Sequence, residues 1–437
     1  MRISDHIHSN EYPASYYAAT CNDTAGFSAL SGDETFDVCI IGGGFSGVAT
    51  ALHLSERGFK VCVVEQNKIG WGATGRNGGH IIGGYAYSMW ENKSKIDSFG
   101  EAGTKALWDM SIECVDIIKN WVEKYNIDCD LEFGFIDVAM KKSELEWLKK
   151  SADTLADRNY PYETKILNKE ELSDYVVSDQ YIGGRTKDGW GQAHVLNLVL
   201  GEARAAEKLG ATIYEHAEVS DIIHGARPRV VTKTGTITAD FVVVTGNGYL
   251  GNLVPKLASR VLPAGSYIIA TEPLSDEQIA ATAPKGWPTC DQRWALDYFR
   301  VTNDKRLLFG GMATYSGRHP KNIKAVLEPK LHKVFPILKD VKIDYEWGGY
   351  MGIGLNRIPM LGRLSDNVYF ATGYGGHGAA PTHMSAKLIS EAIAGQAERY
   401  DIVASVKHMP FPGGRHLMQP AYAVGMAYYK LRDAIGW

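Results

Sequence analysis

The run Gly42-Gly43-Gly44-Phe45-Ser46-Gly47 is a G-x-G-x-x-G placed between a β-branched stretch, Asp37–Ile41, and a segment in which Val48, Ala49, Leu52 and Ser55 keep helical spacing. In that setting Gly42 permits a tight turn, Gly44 lets backbone approach a pyrophosphate, and Gly47 lets helix and strand pack closely. The helix start at Phe45 and Ser46 offers backbone N–H groups to phosphate oxygens. Glu65 ends a second β-branched run, Lys60–Val64, eighteen residues after Gly47, with Gln66 beside it. A carboxylate there accepts a ribose 2′-OH and repels a 2′-phosphate. The chemistry is that of an ADP-ribose site; the plain alternative is a glycine turn with a surface Glu.

Three further glycine runs decide which dinucleotide. Gly70-Trp71-Gly72-Ala73-Thr74-Gly75-Arg76-Asn77-Gly78-Gly79-His80 comes directly after the second strand, where a flavin's pyrophosphate and ring would continue past the first loop. Small residues let the ring lie on backbone, and Arg76 can offset phosphate charge or hydrogen-bond near the ring. Ala217-Glu218-Val219, with the strand ending at Thr245-Gly246, can supply backbone to adenine at Val219 and to the pyrophosphate near Gly246. Gly373-Tyr374-Gly375-Gly376-His377-Gly378 leads from a strand into a helix whose positive end suits a reduced flavin's negative edge, with His377 adding a hydrogen bond. Toward the substrate, alternation along Trp294-Ala295-Leu296-Asp297-Tyr298-Phe299-Arg300 puts Trp294, Leu296, Tyr298 and Arg300 on one face. An aromatic wall with one guanidinium would suit an amine with a remote carboxylate; a half-buried sheet face is the competing reading.

These loops need a strand–helix–strand frame. Helices are expected at Ala102–Tyr125, Ser143–Asn159, Leu196–Leu209, near Ala325–Phe335, and at Met384–Ala394. Strands are expected at Leu131–Met140, Thr212–Tyr214, Arg229–Lys233, Thr236–Thr238, Phe241–Thr245, Ser266–Thr271, Trp294–Val301, Arg306–Gly310 and Val368–Ala371. The region from Tyr85 to Gly191 shows no recognisable chemistry. The 47 glycines cluster at the loops, as close approach to a ligand requires and as a flexible linker would not. The chain has 437 residues, 45% hydrophobic, with 46 Lys+Arg against 50 Asp+Glu, a net charge of −4. Without a basic block, nucleic acid is excluded as a partner. No apolar run reaches the roughly 18 residues that span a bilayer, and Met1–Ser15 lacks the pattern of an export leader. Cys21, Cys39, Cys62, Cys114, Cys129 and Cys290 are widely spaced, without C-x-x-C or a metal-ligand cluster. A cytoplasmic protein with free thiols and no metal is expected.

Four glycine motifs in this order resemble the D-amino-acid-oxidase/sarcosine-oxidase (DAO) family of FAD-dependent amine oxidoreductases. Within it the chain is similar to the bacterial branch acting on gamma-glutamylated putrescine. The likeness runs through Ser15-Tyr16-Tyr17-Ala18-Ala19, Gly72–Gly79, Gly246-Asn247-Gly248-Tyr249-Leu250-Gly251, Pro255-Lys256-Leu257 and Leu296–Arg300. It continues through Trp347-Gly348-Gly349, Gly376-His377-Gly378, Gly395-Gln396-Ala397-Glu398-Arg399 and Pro410-Phe411-Pro412-Gly413-Gly414. The resemblance implies bound FAD, oxidation of an amine to an imine, hydrolysis to an aldehyde, and return of the electrons to oxygen as peroxide. His80 stands where this group often has Gln, and Gly375 where it has Ser or a similar residue. Ala380 replaces the Lys by which sarcosine oxidases hold an amino-acid carboxylate, so a small α-amino acid is disfavoured. No Cys lies in Met351–Arg363, where those enzymes anchor their flavin, so dissociable FAD is expected.

The expected fold is α/β: a glutathione-reductase-type, Rossmann-like FAD domain from residues 35–90, 193–250 and 345–400, with an inserted, mainly β substrate domain from 91–192 and 251–344. Residues 1–34 form an N-terminal extension and 401–437 a helical C-terminal one. The expected activity oxidises the terminal amine of gamma-glutamylputrescine or a similar conjugate with oxygen, releasing ammonia and hydrogen peroxide, in polyamine catabolism. His377, Tyr298, Arg300 and His80 are its pocket candidates. The competing readings are a dehydrogenase for another amine or amino acid that passes electrons to a quinone or carrier, and a flavoprotein subunit whose cofactor is structural.

Overall fold

The computed structural model describes residues 9–23, 25–85, 99–293, 296–314, 319–414, 417, 418 and 424. Its first sheet is built around β1 (Glu34–Ile41), which leads through the first glycine run into α1 (Phe45–Glu56) and back to β2 (Val61–Val64). The long helix α2 (Gly100–Tyr125) follows, and α3 (Val195–Lys208) then feeds β3 (Thr212–Glu215). The frame is completed by β4 (Thr236–Val244), β5 (Val368–Thr372) and α4 (Ala379–Ile393). The five strands pair in parallel in the order β3-β2-β1-β4-β5, so strands far apart in the chain lie side by side.

Residue alternation explains why this sheet is covered on both faces. Val38, Ile40, Val61, Val63 and Val243 pack beneath the helices with Leu52, Leu198 and Ile389. Cys39, Ile41, Cys62, Val64, Val242 and Val244 point the other way, onto Ile222, Val230 and Leu257. The six cysteines are free thiols, and no helix among the described residues is long and apolar enough to cross a membrane.

The second sheet has eight strands among the described residues. From one edge they are Ile343–Ile353, Leu262–Thr271, Leu307–Thr314, Tyr298–Val301, Thr289–Asp291, Ile136–Ala139, Gly183–Lys187 and Thr164–Asn168. All neighbours are antiparallel except Thr289–Asp291 with Ile136–Ala139. One face carries Tyr267, Ile269, Phe299 and Phe309 onto Leu327, Leu331 and Val334 of the helix Lys324–Val334. The other turns Ile268, Ala270, Leu308 and Trp347 into the core of the first unit. The sheet is thus a wall between a covering helix and the glycine loops.

Several sequence expectations shift. The strand expected over Leu131–Met140 breaks at Gly134 (φ +120°): Glu132–Phe133 joins a small sheet with Gly191–Gln192 and His80–Ile81, while Ile136–Ala139 enters the large one. The strands expected at Thr236–Thr238 and Phe241–Thr245 merge into one, Thr236–Val244. The last helix starts at Ala379 rather than Met384, with Pro381 in its first turn, where a missing N–H costs nothing. The strand expected from Trp294 begins only at Tyr298, because Asp297 turns to accept from Arg293 and Lys330; Trp294 lies outside the described residues. The boundary expected at 345 falls inside the strand Ile343–Ile353, which pairs throughout with Leu262–Thr271. Helix α2, expected in the substrate domain, buries Leu107, Met110, Cys114 and Ile118 against the helices of the first unit. Of the terminal helix expected beyond Pro420, only Val424 is described, and it is exposed.

Candidate active site

The first glycine loop is shaped by distances no side chain would tolerate. A Cβ on Gly47 would lie 1.9 Å from the Gly42 carbonyl oxygen. Gly42 itself takes φ +109° against Thr245, whose hydroxyl donates to the Ile41 and Gly42 carbonyls at 2.8 and 3.1 Å. Helix α1 begins after Gly44, which supplies no cap of its own, so beyond the Phe45 N–H its first turn presents the positive end that binds anions. The Phe45 N–H is received by Thr74 Oγ1 at 3.0 Å and the Ser46 hydroxyl pairs with Tyr374 Oη at 2.8 Å. The Phe45 N–H and the Ser46 hydroxyl therefore tie the first loop to the second and fourth. Glu65 accepts from Gly43 N (2.7 Å) and Asn67 N (2.9 Å); a carboxylate has lone pairs beyond these two for a ribose hydroxyl. Burial raises its pKa, and those N–H groups pull against the rise. Beside it, Gln66, Asn67, His216, Ala217 and Glu218 line a cavity of about 160 Å³ at the Val219 end of the sheet, where an adenine was expected.

The second loop forms a 3₁₀ turn at Thr74–Arg76. Asn77 closes it by donating to Thr74 O and accepting from Gly79 N at 2.8 and 2.9 Å, so Asn77 shapes the loop. Gly72 faces the Tyr249 ring, and Gly44 meets Thr74. Arg76 lies over the Trp71 ring at 4.0 Å and donates through Nε to Trp71 O at 2.8 Å. Its Nη2 is buried with no partner among the described residues. A buried guanidinium nitrogen without an acceptor is costly, and a cofactor oxygen supplies one.

Tyr298 and Arg300 share a face, as alternation requires, and both press on this loop. A Cβ on Gly78 would lie 2.6 Å from the Tyr298 ring, and one on Gly79 2.6 Å from Arg300 Nε. Arg300 is 3% exposed; its Nε donates to Gly78 O at 2.9 Å, and Nη2 to Tyr17 Oη and Ala193 O at 3.2 Å each. The guanidinium expected to meet a substrate carboxylate is engaged by backbone instead, and Leu296, expected on the same aromatic wall, is exposed before the strand begins. Tyr298 lies over Gly310 with its hydroxyl 3.4 Å from Ser266 Oγ, and burial raises its pKa. His80 packs edge-on to Tyr298 at 5.5 Å and donates through Nδ1 to Gly78 O; its Nε2 is buried without a partner among the described residues.

The fourth loop carries positive φ at Gly373, Gly375 and Gly376 and ends at Gly378, which opens helix α4 without a side-chain cap. His377 donates through Nε2 to Ile82 O at 3.1 Å, linking this loop to the second. Desolvation brings both imidazoles down to about 4, helped at His80 by Arg300 and at His377 by Lys187, so both are neutral at pH 7. The third loop joins through Asn247, a residue not singled out in the sequence. Its Oδ1 accepts from Gly373 N at 3.0 Å and from the Thr372 hydroxyl at 3.3 Å. Gly246 and Gly248 pack on Leu250 and on the backbone at Met351–Gly352. Trp347 Nε1, from the quoted Trp347-Gly348-Gly349 run, donates to Arg76 O at 3.0 Å. All four loops therefore meet at one place, with uncapped helix starts, Glu65, and the open valences of Arg76 and His80 fitting a flavin dinucleotide.

A family model described as FAD dependent oxidoreductase, DAO, matches residues 37–392. The gamma-glutamylputrescine oxidoreductase of Escherichia coli K12 is 41% identical over 98% of this chain and 99% of its own length. A probable oxidoreductase of Haemophilus influenzae is 36% identical over 97% and 98%. Among solved structures, glycine oxidase from Geobacillus kaustophilus superposes with a TM-score of 0.70 at 20% identity, covering 83% of this chain and 95% of that one.

Two outcomes are expected. Gly47→Ala, which drives a methyl into the Gly42 carbonyl, loses about 1–3 kcal/mol in urea unfolding and purifies with most of its flavin absent. For the imidazoles, the unfolded chain binds protons near pH 6.5 while native His80 and His377 bind them only near 4. The unfolded state thus holds more protons between these values, and stability is full above 6.5 and declines as pH falls toward 4. Melting temperatures from pH 7.5 to 4.5 should fall less steeply in His80→Gln than in the parent.

Proposed function

The chain belongs to the DAO family of FAD-dependent oxidoreductases, and from that premise we propose that it oxidises the terminal amine of gamma-glutamylputrescine or a closely similar conjugate. The observation that carries this reading is the withdrawal of cations from the ring. Arg300 is committed to carbonyls, and the helix that the fourth loop opens has buried Ala380 in its first turn. A small amino acid would need a cation close to its reacting carbon; an amine whose charged end lies further off does not. The end-to-end likeness to the Escherichia coli enzyme supports the same substrate.

The four glycine loops would hold FAD without a covalent link, and it would supply the acceptor for two electrons and a proton from the amine C–H. The protein's part is positioning. The Tyr298 ring presses on Gly78 and Trp347 donates to Arg76 O, so both support the second loop, and Ser266 Oγ lies 3.4 Å from the Tyr298 hydroxyl. Neutral His377 holds the fourth loop against Ile82, which keeps the uncapped start of α4 aimed at the site. The balance is amine, oxygen and water to aldehyde, ammonia and hydrogen peroxide, with oxygen the oxidant.

Anaerobic addition of gamma-glutamylputrescine to the purified holoenzyme should bleach the flavin absorption, and air should restore it with release of peroxide. Failure to bleach removes this substrate. Bleaching that an artificial dye reverses and air does not would make the protein a dehydrogenase.

A further inference from the structure

The register of the second sheet forms a ruler. Arg185 pairs with Asp137, Asp137 with Cys290, Cys290 with Tyr298, Tyr298 with Gly310, Gly310 with Ile268 and Ile268 with Trp347. Directly paired residues point to the same face, and from the middle of this row to its far end Tyr298 and Trp347 face the glycine loops. The opposite end holds charge. Arg185 is 1% exposed and its Nη2 lies 2.6 Å from Asp137 Oδ2; Lys187, two residues on and so on the same face, places Nζ 3.0 Å from the same oxygen. Gln292 donates to Asp137 Oδ1 at 3.2 Å. The buried Nε of Arg185 has no partner among the described residues.

Lys187 lies at the loop end of its strand. Its ammonium sits over the Trp190 ring at 3.3 Å, and the indole Nε1 is 2.5 Å from where a Gly83 Cβ would be. Gly83 follows Ile82, the residue that receives His377. The aromatic path continues from Trp190 to Phe135 (5.2 Å) and from Phe135 to His80 (6.0 Å). The charged group is therefore joined to the flavin-side loops by a series of packed aromatic rings.

Building on the amine-oxidase reading, we propose that Lys187, braced by Asp137 and Arg185, binds the remote carboxylate of the substrate and so selects amines that carry one. Strands are spaced about 4.8 Å apart, which puts the Asp137 strand roughly 10 Å from Tyr298 and the Lys187 strand roughly 14 Å; the Lys187 ammonium reaches back to within 3.0 Å of Asp137 Oδ2, on the nearer line. In a gamma-glutamylated diaminobutane, about nine bonds separate the reacting carbon from the α-carboxylate, the reach of about three extended residues, roughly 10 Å. The match explains how the site can do without a cation at the ring. Lys187 acts in binding and takes no part in the chemistry.

The test uses holoenzyme and a pair of amines, gamma-glutamylputrescine and N-butyrylputrescine, which lacks the carboxylate. The readout is the ratio of their kcat/KM values. Lys187→Met and Lys187→Gln should each lower that ratio about tenfold or more through the KM of the glutamyl conjugate, and Lys187→Arg should restore most of it. An unchanged ratio in folded, flavin-loaded variants overturns the inference, as does a parent enzyme that shows no preference between the two amines; in either case the amine-oxidase reading stands. A parent that oxidises no amine refutes that reading and the inference with it.

Discussion

A buried guanidinium ties the large sheet to the glycine loops of the first unit. Arg300 stands on a central strand of the large sheet, yet its donors go to the Gly78 and Ala193 carbonyls and to Tyr17, none of which belongs to that sheet. Charge-assisted bonds to backbone in a dry setting are strong because nothing competes with them. Through them the sheet fixes the second glycine loop, and the loop in turn carries Thr74 to the first helix and Arg76 to Trp347. Loss of this contact would leave three carbonyl or hydroxyl groups and a buried charge seeking partners at once.

The same economy of contacts recurs around the site. Thr245 holds Gly42, Asn247 holds Gly373, Ser46 holds Tyr374 and His377 holds Ile82. Each bond joins two glycine loops or a loop to its neighbour, so polar side chains in these motifs clamp backbone, and the backbone is left to meet the cofactor. Glycine is required where the clamps draw chains together, most severely at Gly47. Among the described residues, open valences at Arg76 and His80 and at two helix starts lie around the shared centre.

Much of this arrangement is legible from residue order. The strand–loop–helix of Gly42–Gly47 followed by Glu65 carries its own geometry, because turn, close approach and helix packing each demand glycine at a set spacing, and β1, α1 and β2 form where alternation and periodicity place them. The parallel placement of β5 beside β4 is a tertiary fact with no local signature. Arg300 shows the limit most clearly: alternation puts it on the correct face with Tyr298, but whether that face meets substrate or backbone depends on Gly78 and Gly79, more than two hundred residues away. The quiet middle region held a comparable surprise. Gly183-Gly184-Arg185-Thr186-Lys187 spaces two cations at period two, a pattern that becomes meaningful only when Asp137 pairs opposite Arg185.

The central claim is that Arg300 builds the flavin seat rather than binding substrate, and flavin titration of Arg300→Met tests it most directly. Apo-protein of the parent and the variant would be titrated with FAD, following flavin fluorescence, and the KM for the amine measured on the fully loaded forms. This account requires FAD binding to weaken about tenfold or more while the KM of the loaded variant stays close to the parent's. Unaltered FAD affinity together with a sharply raised KM would contradict it.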